Sequence, residues 1–410
     1  MKKTCLKPAV LCWAFSLPVF WLSPAKADET IMPSPPEIAA DAWVLMSYES
    51  GQVIAGSDEN KPHAPASLVK IMTSYVVGKE LKAGHIHQDD KVVISENAWG
   101  KKFPGSSIMF LNIGDEVTVD DLNHGVIISS GNDATVALAE HIAGHSSAFI
   151  EMMNREAERI GMKNTYFTNP HGLDSDSQST SAYDMALLTR ALIQDMPEIY
   201  DLFKLKSFTY HNIKQGNRNP LLWDASLNAD GVKTGYTKEA GYSLVSSAIQ
   251  GDMRLIAVVL GTEDVNARRN ESKKLLTWGF RFYQDLNPKL DSKTLKKARV
   301  WYGSPSNVQV ELGDGGVITV PRRQRTNLEH QVFYNSNLEA PIAKGQQVGK
   351  VEWYMGDSLI TVQPILAAEA SEKAPWYKSI LDTVWRPIGN WFSEQDWDSR
   401  DDQPTMKTTQ

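Results

Sequence analysis

Leu68, Ile71, Met72, Tyr75 and Val76 recur at i, i+3, i+4, i+7 and i+8, the spacing of a helix that buries one stripe. Ser67, Lys70 and Ser74 fall on a neighbouring face of that helix, with Pro65 ahead of its first turn and Gly84 beyond its end. Upstream, Ala42 to Tyr48 alternates and is rich in β-formers, Glu49-Ser50-Gly51 turns, and Gln52 to Ala55 returns, which predicts a hairpin. Downstream come a short strand at Val92 to Ile94 and a helix from Leu122 to Ser129. Ser130-Gly131-Asn132 interrupts, and helices follow from Asp133 to Ala143, from Ser147 to Ile160 with Gly161 as its stop, and from Ser181 to Asp195. The period then changes from helical to alternating. Gly231 to Tyr236, Tyr242 to Ile249 and Met253 to Leu260 read as strands, with Gly251-Asp252 as a turn, and Glu271 to Tyr283 is a helix whose Leu276 and Phe280 face a sheet. Two early strands, a run of helices and three late strands predict an α+β domain with one antiparallel sheet closed by distant segments.

Both ends of the chain depart from this pattern. Lys2, Lys3 and Lys7, an apolar run from Pro8 to Leu22, and Pro24-Ala25-Lys26-Ala27 form a secretory signal peptide with a small-x-small cleavage site after residue 27. The run is too short, and too interrupted by Pro18, to span a membrane. The polar, lysine-rich stretch from Asn287 to Arg299 reads as a linker. After it, short strands at Val308 to Leu312, Val317 to Val320, Gln331 to Tyr334, Val348 to Met355 and Leu359 to Val362 predict a small all-β domain. Tyr377, Ile380, Leu381, Val384, Trp385, Ile388, Trp391 and Phe392 then trace one helical face. Such a helix either lies in a headgroup region or packs on the β domain or a partner. The expected division is 1–27 signal peptide, 28–286 α+β domain, 287–368 β domain, and 369–410 linker, amphipathic helix and acidic tail.

Composition narrows the function. Both cysteines, Cys5 and Cys12, lie in the signal segment, so the exported chain has neither disulfide nor thiol chemistry. That segment also carries four lysines and no acid, so its removal takes the formal charge from −7 down by four to −11, which argues against a nucleic-acid partner. Nine histidines are scattered; His141 and His145 are four apart, but no Glu follows His141, and neither a metal nor a cofactor is expected.

Three separated pieces carry chemistry. Ser67-Leu68-Val69-Lys70 puts a hydroxyl beside an amine at a helix start, where unpaired N–H groups gather and a neutral lysine could take the hydroxyl proton. Ser130-Gly131-Asn132 lies on an interhelical loop, and Lys233-Thr234-Gly235 lies on a strand. Alone the first tetrad is a chance pattern on a solvated helix; in this order and context the three match the motif set of penicillin-binding proteins and class A β-lactamases.

With Asn217-Arg218-Asn219, Leu221-Leu222-Trp223-Asp224, His171-Gly172-Leu173-Asp174 and Leu275-Leu276-Thr277-Trp278-Gly279-Phe280, the chain resembles the low-molecular-mass penicillin-binding proteins of the five and six group, D-alanyl-D-alanine carboxypeptidases of serine peptidase family S11. The resemblance implies a penicillin-binding, β-lactamase-like domain with a five-stranded sheet, flanking helices and a helical cluster, then a β-sandwich-like stalk. It implies that Ser67 attacks the carbonyl between the last two D-alanines of a peptidoglycan stem peptide and is likewise acylated by β-lactams. Lys70 is the implied base, assisted by the charge of Lys233, and Ser130 relays a proton to the leaving amine. Asn132 holds the substrate amide. Thr234 of the Lys233-Thr234-Gly235 strand binds the terminal carboxylate with Arg268, and Arg218 is a second contact; the adjacent Arg269 leaves the register open. The oxyanion falls to the backbone N–H groups of Ser67 and Tyr236. Location in a bacterial periplasm, on the outer face of the inner membrane through the C-terminal helix, follows from the same resemblance.

Two departures stand out. Tyr236 follows Lys-Thr-Gly where that family usually has His, and the segment from Trp99 to Ser106 is shorter than in the family. His171 reads as a structural turn residue, and Trp223 and Trp278 as core. A serine β-lactamase would need a Glu placed for deacylation, and no convincing candidate is present. A scaffold that keeps the fold without catalysis is the alternative of another class.

Overall fold

The computed structural model describes residues 34–290, 294–377, 380, 382 and 383. The signal segment, most of the expected C-terminal helix and the acidic tail lie outside the described residues.

The sheet runs Val53–Ser57, Ala42–Ser47, Met253–Thr262, Gly241–Gln250, Ala229–Thr237, all neighbours antiparallel. Its middle strands are covered on both faces, and strand periodicity decides which side chain goes where. Val44 and Met46 with Ile256, Val258 and Leu260 join one core cluster, and Leu45 with Leu255, Ala257 and Val259 join another. The first cluster holds the helices Val69–Ala83, Ser146–Ile160 and Ala182–Asp195; the second holds Val265–Phe282, whose Leu276 and Phe280 are buried there as expected. Ala42–Ser47 is therefore buried along its whole length rather than on alternate residues.

The helix after Ser67 also departs from expectation. Every residue from Val69 to Gly78 is buried, including Lys70 and Ser74, so it is a central helix rather than an amphipathic one. Its left-handed Gly84 cap, the Gly161 cap of Ser146–Ile160 and the Ser181 N-cap of Ala182–Asp195 follow the sequence. The predicted helix from Leu122 to Ser129 is instead Val119–His124 followed by a wider π turn over Gly125–Ser129. Lys91–Val93 pairs with Glu116–Thr118, a partner strand that the pattern did not reveal.

The later strands form a second sheet in the order Val310–Leu312, Ser358–Ala367, Gln347–Met355, Leu328–Tyr334 over a core of Val300, Val308, Val348, Val351, Trp353 and Ile365. Tyr283–Leu286 follows the last helix of the first part without a loop and pairs with Ile318–Pro321. There Asp285 accepts from Ser47 Oγ at 3.0 Å and Thr319 Oγ1 at 2.6 Å, tying the first strand to the later sheets. Glu372–Lys373 pairs with Gly303–Ser304, and the buried Asp382 accepts from the Tyr302 N–H at 2.8 Å, while Trp376, Tyr377 and Ile380 are exposed. No helix among the described residues is long and apolar enough to cross a membrane.

Candidate active site

Ser67 lies on a short 3-10 turn, Ala66–Leu68, that runs directly into the buried helix. The turn is forced: Ala66 adopts φ +47°, in the left-handed region that a side chain disfavours. Two glycines make room for it. Gly172, itself at φ +87°, lies so near that a Cβ would overlap the Ala66 carbonyl, and Gly235 packs where a Cβ would meet the Pro65 carbonyl at 3.2 Å and Ala66 Cβ at 3.3 Å. Gly172→Ala should therefore destabilise the chain by about 2–4 kcal/mol, combining a left-handed alanine with overpacking against backbone. Urea denaturation measures this, and an unchanged midpoint would remove Gly172 as a support of the Ser67 turn.

Three residues on from Ser67, Lys70 Nζ lies 3.3 Å from Ser67 Oγ, 2.7 Å from Asn132 Oδ1, and against the His171 carbonyl. Asn132 Oδ1 and a carbonyl can only accept. A neutral amine satisfies both with its two N–H bonds and has its lone pair left for the Ser67 hydroxyl. The environment favours that neutral form: Lys70 is 1% exposed, and burial followed by the Arg218 charge lowers its pKa to about 7, with Asp133 opposing. Arg218 is thus a neighbouring charge that lowers Lys70, and Lys70 and Lys233 disfavour each other's protonation. His171 meets the site through its backbone carbonyl, and its ring stands edge-on to Phe103 at 5.7 Å. Burial and then the Lys70 charge push that imidazole down to about 3, so it is neutral at physiological pH.

On the opposite side, Ser130 takes a left-handed φ of +59° at the end of the π turn. Lys233 Nζ donates to Ser130 Oγ at 3.0 Å and to the Thr234 carbonyl at 3.2 Å. Burial, then the charges of Lys70, Arg218 and Arg268, push Lys233 well below its ordinary value. Asn132 Nδ2 donates to Ser106 Oγ at 2.9 Å, so its amide bridges Lys70 and the Ser106 loop.

Asp133 organises that loop, a role the sequence did not reveal. Its buried carboxylate accepts from the N–H groups of Met109 at 2.8 Å, Leu111 at 3.1 Å and Ala134 at 2.9 Å. Burial raises its pKa against those bonds. The signal available was an acid next to Ser130-Gly131-Asn132, which read only as a first-turn residue.

The two adjacent arginines face different ways. Arg268 turns inward, 6% exposed, and its Nη1 donates to the Gly235 carbonyl at 3.1 Å, while Arg269 is exposed and bonds Asn270. Burial lowers Arg268 to about 10, Tyr242 opposing and Arg218 adding to the fall. Arg218 Nη1 donates to Ser107 Oγ. Thr234 is buried, and Tyr236, 51% exposed, stands at the end of the same strand. Trp278 is core as expected, whereas Trp223 is 52% exposed with Lys206 over its ring, because its 3-10 turn buries Leu221 and Leu222 instead.

The structure thus bonds Ser67, Lys70 and Asn132 into one group and Ser130 with Lys233 into another, near enough for the Lys70 charge to act on Lys233, with Arg218 and Arg268 adding charge around them. A family model described as D-alanyl-D-alanine carboxypeptidase matches residues 29–264, and one described as the penicillin-binding protein 5 C-terminal domain matches 283–373. The chain is 46% identical over 370 residues to D-alanyl-D-alanine carboxypeptidase DacC of Escherichia coli, covering 89% of this chain and 92% of that protein. The crystal structure of penicillin binding protein 5 from Haemophilus influenzae aligns with a TM-score of 0.78 at 45% identity, covering 83% of this chain and 99% of that one. Penicillin-binding protein D2 of Listeria monocytogenes in an ampicillin-bound form aligns at 27% identity and a TM-score of 0.55, covering 60% of this chain and 100% of that one.

Proposed function

Since the chain belongs to the D-alanyl-D-alanine carboxypeptidase family of serine peptidases, we propose that Ser67 is its acylated residue and peptidoglycan stem peptides its substrates. The neutral Lys70 amine takes the Ser67 proton as Oγ attacks the carbonyl between the two terminal D-alanines. Backbone N–H groups of Ser67 and Tyr236 stabilise the oxyanion, since Gly235 packs the strand onto the Ser67 turn. Ser130, held by Lys233, passes a proton to the leaving D-alanine amine, and water then hydrolyses the ester. Asn132 orients the substrate amide by exchanging its Ser106 bond for the substrate's.

One observation carries this reading. Two guanidinium groups, Arg218 and Arg268, stand close enough to the lysines to act on them by charge and are themselves depressed by burial, while the nearby carboxylate of Asp133 is committed to backbone N–H groups. A buried positive site of this kind is stabilised by an anion. The terminal carboxylate of the peptide supplies it, bound by Thr234 and Arg268 with Arg218 as the second contact. β-Lactams, which carry a carboxylate beside a reactive carbonyl, acylate the same serine.

The division follows the same lines: 28–286 is the catalytic domain, 287–368 a stalk, and 369–410 linker, anchor helix and tail. Exposed Trp376, Tyr377 and Ile380 support attachment to the outer face of the inner membrane in a bacterial periplasm. To test the catalytic reading, the protein is incubated with a peptide ending in D-Ala-D-Ala and with a reporter penicillin. Free D-alanine and a penicilloyl mass on the peptide containing Ser67 are expected. Rapid penicillin turnover with the peptide intact would make it a β-lactamase instead.

A further inference from the structure

Arg268 lies on the first turn of the helix Val265–Phe282, at the positive end of its dipole, where a cation is disfavoured. With Nη1 committed to the Gly235 carbonyl, the Nε and Nη2 edge is the fork left for a carboxylate, and Nε is buried without a partner among the described residues. Something must fix the plane of that fork. The guanidinium lies over the ring of Tyr242, 5.6 Å from its centroid. Tyr242 sits directly across the strand pair from Tyr236, and the two rings lie 4.2 Å apart at an interplanar angle of 30°. The backbone beneath them is tied down, since Thr262 Oγ1 donates to the Tyr242 carbonyl at 2.9 Å.

We propose that Tyr242, backed by Tyr236, is a positioning residue that holds the Arg268 fork for the substrate's terminal carboxylate. This rests on the carboxypeptidase reading above and gives a role to the tyrosine after Lys233-Thr234-Gly235, which buttresses the ring that carries the guanidinium. The hydroxyl is not needed for such a role, but the ring is.

Tyr242→Leu and Tyr242→Phe are compared in the full chain on peptides ending in D-Ala-D-Ala, one with a free terminal carboxylate and one amidated. Tyr242→Leu should raise KM for the free carboxylate about fivefold to tenfold, leave kcat within about twofold, and leave the residual rate on the amide unchanged. Tyr242→Phe should keep KM within about twofold. Equal losses on both peptides, or a Tyr242→Phe as impaired as Tyr242→Leu, would overturn the proposal. If the unaltered chain cleaves neither peptide, the carboxypeptidase reading fails instead. Calorimetric binding of N-acetyl-D-alanine, weakened by the leucine but not by the phenylalanine, then still decides the role of Tyr242.

Discussion

Ser67→Ala should abolish release of D-alanine and yield no penicilloyl adduct, with kcat falling by about 10⁴ to 10⁶. The size follows from the nature of the step: without Oγ no ester can form, and what remains is water attacking a carbonyl polarised by backbone N–H groups. Ser130 does not replace it. Its hydroxyl is bonded to Lys233 at 3.0 Å, while Lys70, the amine lowered to about 7, lies 3.3 Å from Ser67 Oγ and bonds Asn132 and the His171 carbonyl. The fold should survive, because the hydroxyl is needed neither by the Ala66–Leu68 turn nor by the core behind Leu68. Intact-protein mass spectrometry and the thermal midpoint check both halves. An adduct at more than a hundredth of the original rate would move the nucleophile elsewhere.

How much of this was legible before the structure depended on whether a signal was local. Gly84, Gly161 and Ser181 end or begin helices through their own backbone or side-chain chemistry, so their roles could be read from the letters. The Ser67, Ser130 and Lys233 motifs were equally readable, and their convergence is what the antiparallel sheet supplies. The burial of Ser74 was not readable, because a helix enclosed on every side depends on neighbours that come from Phe149, Met185 and Ile256. Trp223 failed for the converse reason: a large aromatic predicts burial only on average, and its turn gave the buried places to two leucines. Asp133 and Arg218 needed three dimensions as well. One takes its partners from Met109 and Leu111, and the other alters Lys70 by charge across the site without bonding it.

The same distinction governs the site's stability. Ala66 and Ser130 are held at positive φ on either side of the reacting groups, Ala66 supported by Gly172 and Gly235, Ser130 by its bond from Lys233. Local propensity alone would relax both. The sheet and the loop containing His171 keep them in place, so the cost of the arrangement is offset in packing distant from the chemistry.

Lys70→Met should lower the acylation rate by about 10² to 10⁴, the range of a lost general base, and leave a rate with little dependence on pH below neutrality. In the unaltered chain kcat/KM should fall about tenfold per pH unit below the Lys70 pKa of about 7 and be level above it, since only the neutral amine can accept the proton. The sign of a second shift follows. Arg218 is a like charge that disfavours protonation of Lys70, so Arg218→Gln should move the midpoint of the profile to higher pH, in addition to any loss of substrate binding. Stopped-flow acylation with a chromogenic β-lactam across pH 5–9 measures all three proteins. A profile unmoved by Arg218→Gln, or one that keeps its acid limb in Lys70→Met, would assign the titration to another group and make Lys70 a structural amine, bonded to Asn132 and the His171 carbonyl only to close the core beneath Ser67.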